Sequence, residues 1–177
     1  WQLKRHVIQT EAPPMSNHPH DQIPFLSEVK TVLPEWIDYN GHLKMAYYNV
    51  LFDTGADEAF AEMGFGPDYA ATRKMTTYSA DFRLRYLREI HEGDRVRVGF
   101  QLLDSTNKSF HFCQWLLHED GWLSATGEGV GLHIDMSGPK VAPYPADVAE
   151  KVAAMQAAHA AFPKPDFVGL PLGLRRG

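Results

Sequence analysis

Residues 45–63 carry the clearest hydrophobic pattern in the chain. Apolar side chains at Met45, Tyr48, Phe52, Ala56, Ala59 and Met63 are spaced 3, 4, 4, 3 and 4 residues apart, which is the period of an amphipathic helix. Gly64 and the Gly66-Pro67 pair that follows predict its C-terminal end. Gly55 lies on the same stripe, where glycine costs about 1 kcal/mol relative to alanine, so we expect a neighbouring element to approach the helix closely there.

After residue 76 the pattern changes to an alternation of apolar and polar positions. Tyr78, Ala80, Phe82, Leu84 and Tyr86 form the apolar set, which predicts a long half-buried strand. A turn at 92–94 leads to a second strand over 96–102. Residues 109–119 are apolar on both faces and predict a central strand. Asp120-Gly121 then predicts a hairpin turn, and a last strand follows over 122–135. A short strand at 28–33 precedes the long helix, and a second helix follows residue 145. This order predicts an α+β fold in which one long helix lies on an antiparallel meander.

Length and composition limit the possibilities further. A chain of 177 residues corresponds to one domain, which we divide into an irregular N-terminal arm (1–26), a folded body (27–145) and a C-terminal helix with its tail (146–177). The net charge of −5 argues against general nucleic-acid binding. No apolar stretch is long enough for a membrane span, and the N-terminus does not resemble a secretory signal. The single cysteine, Cys113, is typical of a cytoplasmic protein.

The segment Asp38-Tyr39-Asn40-Gly41-His42 directly precedes the long helix. A carboxylate can activate water or attack an ester carbonyl itself, and the N-terminus of a helix offers unpaired N–H groups to the oxyanion that forms. In this interpretation Asp38 is the base or nucleophile, Gly41 lets the backbone around 41–44 approach the carbonyl, and His42 orients the acid or donates to the oxyanion. The alternative is structural: Asp38 closes an Asx-type turn and His42 has no chemical role.

The segments "VLPEWIDYNGH", "LRYLREIHEGD" and "LSATGEGVGLHID", with Tyr47-Tyr48, resemble hotdog-fold acyl-CoA thioesterases of the 4-hydroxybenzoyl-CoA type over about residues 27–145. The resemblance implies an antiparallel sheet wrapped around one central helix. It further implies hydrolysis with no cofactor besides the coenzyme A of the substrate, Asp38 as the catalytic acid, and a homodimer or dimer of dimers with sites between subunits. Lys44 and Met45 stand where many relatives carry paired asparagines.

Within that family the chain is most similar to the branch that is free-standing or fused to carnitine dehydrogenase and hydrolyses betainyl-CoA. The resemblance therefore implies betainyl-CoA, or another short polar acyl-CoA, as the substrate. Two other functions stay open. One is a hydratase or dehydratase acting on acyl thioesters, which would depend on His42 as well as Asp38. The other is a non-catalytic acyl-CoA-binding module.

Several further residues are candidates for substrate contact. Aromatic rings can hold a quaternary ammonium group, arginines can meet the phosphates of coenzyme A, and an acid in the last strand can lie near the substrate. The aromatic candidates are Trp36, Tyr39, Tyr47, Tyr48 and Tyr78. The arginine candidates are Arg85 and Arg88, the acid is Glu128, and Asn40 is a further candidate from the Asp38 loop. Core packing and a solvated strand face are the competing explanations. The histidines show no ligand spacing that indicates a metal site.

Overall fold

The computed structural model describes residues 19–173, with the side chains of residues 19 and 20 excepted. Most of the predicted arm, residues 1–18, lies outside this range. A short 3-10 turn (Pro19–Gln22) leads to strand β1 (Phe25–Leu26), so the end of the predicted arm already belongs to the sheet. Strand β2 (Lys30–Thr31) is shorter than the predicted strand over 28–33. None of the helices between residues 19 and 173 combines the length and hydropathy that crossing a bilayer requires.

The long helix is α1 (Met45–Glu62), and it agrees with the predicted span. Its buried side is formed by Tyr48, Leu51, Phe52, Gly55, Ala56 and Ala59. The prediction was wrong for Met45, whose side chain is 70% exposed, because the first turn projects beyond the edge of the core. The chain leaves the helix through Gly64, whose φ of +88° is a conformation that glycine adopts without strain. Helix α2 (Pro67–Arg73), expected to be loop, follows directly.

Four long strands form most of the sheet. They are β3 (Met75–Tyr86), β4 (Arg95–Ser105), β5 (Ser109–His118) and β6 (Leu123–Asp135), and the short β7 (Lys140–Val141) pairs with the end of β6. All pairs are antiparallel, and the order along the sheet is β1-β4-β5-β6-β3. The predicted central strand is therefore β5, as expected. The predicted meander was wrong in one respect: β3 pairs with β6, not with β4. The connection after β3 passes the N-terminal end of α1, where Ile90 O accepts the Leu43 N–H. It then leads to β4, which β5 and β6 separate from β3 in the sheet.

One face of the sheet covers α1. Gly55 lies against β4, where an added Cβ would come within 2.4 Å of Val98 Cβ, so the close approach expected at this glycine is confirmed. The alternating glycines of β6 face core aromatic rings. A Cβ at Gly131 or Gly129 would meet the rings of Phe110, Phe112 or Phe82, so these positions make room for core aromatics.

Helix α3 (Ala146–His159) packs on β4, and its Val148, Val152 and Met155 complete the core at the C-terminal end of α1. The tail after α3 then lies on the sheet face opposite α1, where Phe167 contacts Trp115 edge to face with ring centroids 5.6 Å apart. Cys113 is fully buried on this side, and burial raises the pKa of its thiol well above the ordinary value, so it is unreactive. The C-terminal segment therefore packs against the folded body.

Candidate functional site

The Asp38 loop is closed by its own backbone. Ile37 and Leu43 form an isolated antiparallel bridge, Asp38 N–H donates to His42 O at 2.9 Å, and Gly41 N–H donates to Asp38 O at 3.0 Å. Gly41 has a φ of +82°, which a residue with a side chain rarely adopts. The sequence pattern at 38–42 thus folds as a tight loop that leads into α1.

The carboxylate of Asp38 lies over this loop. Its Oδ1 accepts the N–H of Asn40 at 2.8 Å and, less closely, that of His42 at 3.4 Å. The hydrogen bond from the Asn40 N–H lowers the pKa of Asp38, although partial burial opposes the shift, so the carboxylate is ionised at neutral pH. An ionised carboxylate at the mouth of a helix suits a base or nucleophile. The same geometry is that of the Asx turn, so the catalytic role of Asp38 stays a prediction.

The N–H groups expected to polarise the substrate carbonyl are largely used inside the chain. Gly41 donates to Asp38, Leu43 N–H donates to Ile90 O at 2.8 Å, and Lys44 N–H donates to Trp36 O at 2.9 Å. The interpretation of the backbone around 41–44 as an oxyanion site therefore needs correction. Tyr47 N–H donates to Lys44 O at 2.9 Å, so the better donors are the N–H groups of Met45 and Ala46, because the leading N–H groups of a helix have no intrahelical acceptor.

His42 faces away from Asp38. Its Nε2 lies 3.2 Å from a carboxylate oxygen of Glu89, and its ring lies edge to face with His91 at a centroid distance of 5.2 Å. Possible ligand atoms of His42, Glu89 and His91 all fall within 4.8 Å of one another, so this is the place in residues 19–173 where a metal ion could be held. The His42–Glu89 pair accounts for the arrangement without an ion, and the absence of a metal stays a prediction. This group was not predicted, because His42 lies in the Asp38 loop whereas Glu89 and His91 lie in the connection between β3 and β4.

The aromatic candidates do not form one cage. Trp36 stacks on Tyr47 with centroids 5.4 Å apart, and Lys44 Nζ already lies 5.9 Å from the centre of the Tyr47 ring. Tyr48 is buried against Tyr86, whereas Tyr39 is 98% exposed and touches little of the chain. Asn40 donates its backbone N–H to Asp38 and is otherwise exposed. Of these candidates, the structure brings Trp36 and Tyr47 into contact beside the Asp38 loop, and Tyr48 contacts Tyr86 instead.

Tyr78 lies elsewhere. A register shift in the pairing of β3 with β6, between Ser79 and Asp81, changes which residues of β3 face the helix. Ser79 rather than Tyr78 therefore shares a face with Phe82, and Tyr78 is half exposed on the other face. The predicted common face for Tyr78 and Phe82 was wrong because a bulge adds one residue to the alternation.

Arg85, Arg88 and Glu128 also lie apart from the Asp38 loop. Arg85 donates to Leu170 O at 3.0 Å, and the Arg88 guanidinium stacks 3.9 Å from the centre of the Trp122 ring. Glu128 accepts the Gly169 N–H at 2.8 Å and contacts His111 Nε2 at 2.9 Å. Arg85 and Glu128 therefore hold the C-terminal tail, which is a structural use that the sequence did not indicate. Their roles toward substrate stay predictions.

A cavity of about 320 Å³ opens between the exposed side of α1 and strand β3. Its lining is formed by Asn49, Val50, Asp53, Ala56, Phe60, Ser79, Phe82, Phe112 and Gln114. None of these residues was a candidate from the sequence. The sequence pattern gave little indication of this cavity. The helical period places Asp53 on the solvent side of α1, and it does not indicate which strand forms the opposite wall.

The fold defines a class: an antiparallel sheet wrapped around one long helix is the arrangement of hotdog thioesterases. Residues 32–152 match the thioesterase-like superfamily, and the chain belongs to it. The predicted fold and enzyme class, a thioester hydrolase, are thereby confirmed.

The chain is 37% identical over 144 residues to a betainyl-CoA thioesterase of Pseudomonas aeruginosa, a match that covers 81% of this chain and 91% of that protein. It is 32% identical over 143 residues to an L-carnitine dehydrogenase/betainyl-CoA thioesterase of Rhizobium meliloti, covering 80% of this chain and 28% of that longer protein. Among solved structures, a Staphylococcus aureus protein in complex with CoA superposes with a TM-score of 0.79 at 23% identity, covering 85% of this chain and 95% of that one. The DHNA-CoA thioesterase of the same organism gives a TM-score of 0.70 at 17% identity, with coverages of 77% and 94%.

Proposed function

We propose that this protein hydrolyses an acyl-CoA thioester, and that the acyl group is betainyl or another short polar group. The observation that carries the proposal is the 37% identity to a betainyl-CoA thioesterase along nearly the whole of that protein. The sequence segment that supplies Asp38 lies inside the matched superfamily region, residues 32–152. We also propose that the reaction takes place in the cytoplasm.

The chemistry follows from the loop. On one route the ionised Asp38 carboxylate takes a proton from a water molecule, and the oxygen of that water bonds to the carbonyl carbon. On the other route the carboxylate itself attacks that carbon. The carbonyl oxygen gains negative charge, which the N–H groups of the first turn of α1 stabilise together with the helix dipole. The C–S bond then breaks, and coenzyme A leaves as a thiolate that takes up a proton, which Asp38 supplies on the water route. On the direct route the acyl group remains on Asp38 as a mixed anhydride, and a water molecule must hydrolyse it to release the acid and restore the carboxylate. We expect no cofactor to take part.

The direct test is a panel of acyl-CoA thioesters, with released thiol followed by a thiol reagent. We expect betainyl-CoA to give the highest kcat/KM and long or aromatic acyl groups to give much lower values. Release of thiol from none of them, with saturable binding, would instead support a binding module. Addition of water to an enoyl-CoA without release of thiol would support a hydratase.

The edge of the sheet supports a homodimer. Strand β3 is 12 residues long and, within the described part of the chain, pairs along its length with β6 alone. Its middle residues, 78–81, are exposed, as are the apolar side chains of Val50 and Met45 on the neighbouring side of α1. A long unprotected edge is a template for pairing with another chain. We propose that two copies pair through β3 and cover the cavity side of α1.

This arrangement predicts the effect of one charge at the edge. Ala80 lies near the middle of β3 and is exposed, so Ala80→Glu should place two like charges close to the two-fold axis. We expect the wild-type protein to be a dimer or dimer of dimers by light scattering at micromolar concentration, and the variant to shift toward monomer. Ala157→Glu, on the exposed side of α3, is the matched control and should leave the mass unchanged. A monomeric wild type would contradict the proposal.

A further inference from the structure

The cavity beside α1 has an unusual balance of charge. Asp53 is the one charged side chain in its lining, and no lysine, arginine or histidine nitrogen of residues 21–173 lies within 4.0 Å of its carboxylate. Asp53 itself is exposed at the cavity, and the next acid on the helix, Asp57, has a pKa raised by partial burial and then by repulsion from Asp53. The cavity therefore attracts a cation.

The polar groups that accompany Asp53 are suited to the same purpose. Gln114 is 1% exposed, and its Nε2 donates to Phe52 O at 2.9 Å. A carbonyl can only accept, so this bond fixes which end of the amide is used and leaves the oxygen of Gln114 for a molecule in the cavity. Asn49 and Ser79 add side-chain oxygens, and the negative ends of these dipoles favour a cation even when it has no N–H group to donate. A guanidinium or ammonium to bind an anionic acyl group is missing from the lining.

The apolar walls are largely aromatic. Phe60 and Phe112 meet edge to face with centroids 5.8 Å apart, and Phe82 stacks on Phe112 at 6.1 Å. Because these rings pack against one another, they give the cavity an apolar wall, which suits the methyl surface of a methylated ammonium group. The volume, about 320 Å³, is at the lower end of the range for small-molecule sites, roughly 300–1,000 Å³. The cavity thus fits a compact cation with an apolar surface.

We infer that this cavity binds the quaternary ammonium end of the acyl group, and that Asp53 is the residue that determines specificity for a cationic substrate. The inference rests on the proposed function and assigns its acyl subsite. One methylene separates the cation from the thioester carbonyl in a betainyl group, so the carbonyl stays near the mouth of the cavity. Asn49, at that mouth, is one turn of α1 after Met45, or about 6 Å along the helix axis.

A pair of substrates that differ in charge alone tests this role. Betainyl-CoA carries a trimethylammonium group, and 3,3-dimethylbutyryl-CoA carries the neutral carbon analogue of the same shape. We expect Asp53→Asn to lower kcat/KM for betainyl-CoA about tenfold or more, mainly through KM, and to change that for the neutral analogue less than threefold. Asp53→Glu should recover part of the preference. Asp68→Asn makes the same substitution on the exposed first turn of α2, outside the cavity lining, and should leave the preference unchanged.

The other outcomes separate the inference from the proposed function. If the wild type hydrolyses neither compound, the proposed function fails whatever Asp53 does. If Asp53→Asn lowers kcat equally for both, Asp53 belongs to the chemistry and the inference is overturned. If it changes neither, the cation is recognised elsewhere and the inference is also overturned. Inhibition by free glycine betaine, compared with 3,3-dimethylbutanoate, gives a readout without hydrolysis: the wild type should prefer glycine betaine, and Asp53→Asn should lose that preference.

Discussion

Replacing Asp38 with asparagine should lower the rate of thioester hydrolysis by at least about a hundredfold, the lower end of what a positioned general base contributes. The substitution is close to isosteric. The asparagine Oδ1 can still accept the N–H of Asn40, which Asp38 accepts at 2.8 Å, so the loop keeps its turn. What is removed is the negative charge that must attack the carbonyl or take the proton from water. Thiol release from betainyl-CoA, measured together with circular dichroism and the urea midpoint, distinguishes loss of chemistry from loss of fold.

A second turn in the chain supplies the control. Asp120 precedes Gly121 in the hairpin between β5 and β6, its side chain is exposed, and Asn-Gly is as good a hairpin sequence as Asp-Gly. Asp120→Asn should therefore leave both stability and turnover close to wild type. If Asp38→Asn retains turnover within about threefold of wild type, Asp38 is a turn-capping residue and the catalytic assignment is wrong.

Gly55→Ala should destabilise the protein by about 3 kcal/mol, although alanine is the better helix former by about 1 kcal/mol. The added Cβ would lie 2.4 Å from Val98 Cβ and 2.7 and 2.8 Å from its two methyl carbons. Contact this short forces α1 away from β4, and both elements are held by the buried core around Phe52 and Leu116. The free energy of unfolding from urea denaturation measures the effect. An unchanged or raised stability would show that α1 and β4 lie further apart than described.

Matched variants test the mechanism of this loss. Gly138 has open space around its Cα, so Gly138→Ala should change the free energy of unfolding by less than about 0.5 kcal/mol. Val98→Ala should fail to rescue Gly55→Ala, because the closest atom is the Cβ that alanine retains. Recovery of stability in that double variant would mean that the methyl groups, and not the backbone separation, limit the approach.

Much of the local structure followed from residue pattern. The period of α1, the stop at Gly64, the hairpin at Asp120-Gly121 and the central position of β5 were predicted and are observed. The Asp38 loop was identified from residue types, because aspartate, asparagine and glycine specify a tight turn wherever they occur together. These features depend on the conformational preferences of neighbouring residues and on which side chains avoid water. Both are readable along the chain.

Only the tertiary structure determined which elements pair and pack against one another. Periodicity says which face of a strand is buried but not which strand lies beside it, so the pairing of β3 with β6 was not predictable from it. The bulge after Ser79 places Tyr78 on the other face of β3. Arg85 and Glu128 form hydrogen bonds to the backbone of the C-terminal tail. Most of all, the sequence places Asp53 on the exposed side of α1, and only the fold shows that Ser79 and Phe82 of β3 line the same cavity. A cavity is made by surfaces distant in sequence, and its charge is therefore a property of the folded chain.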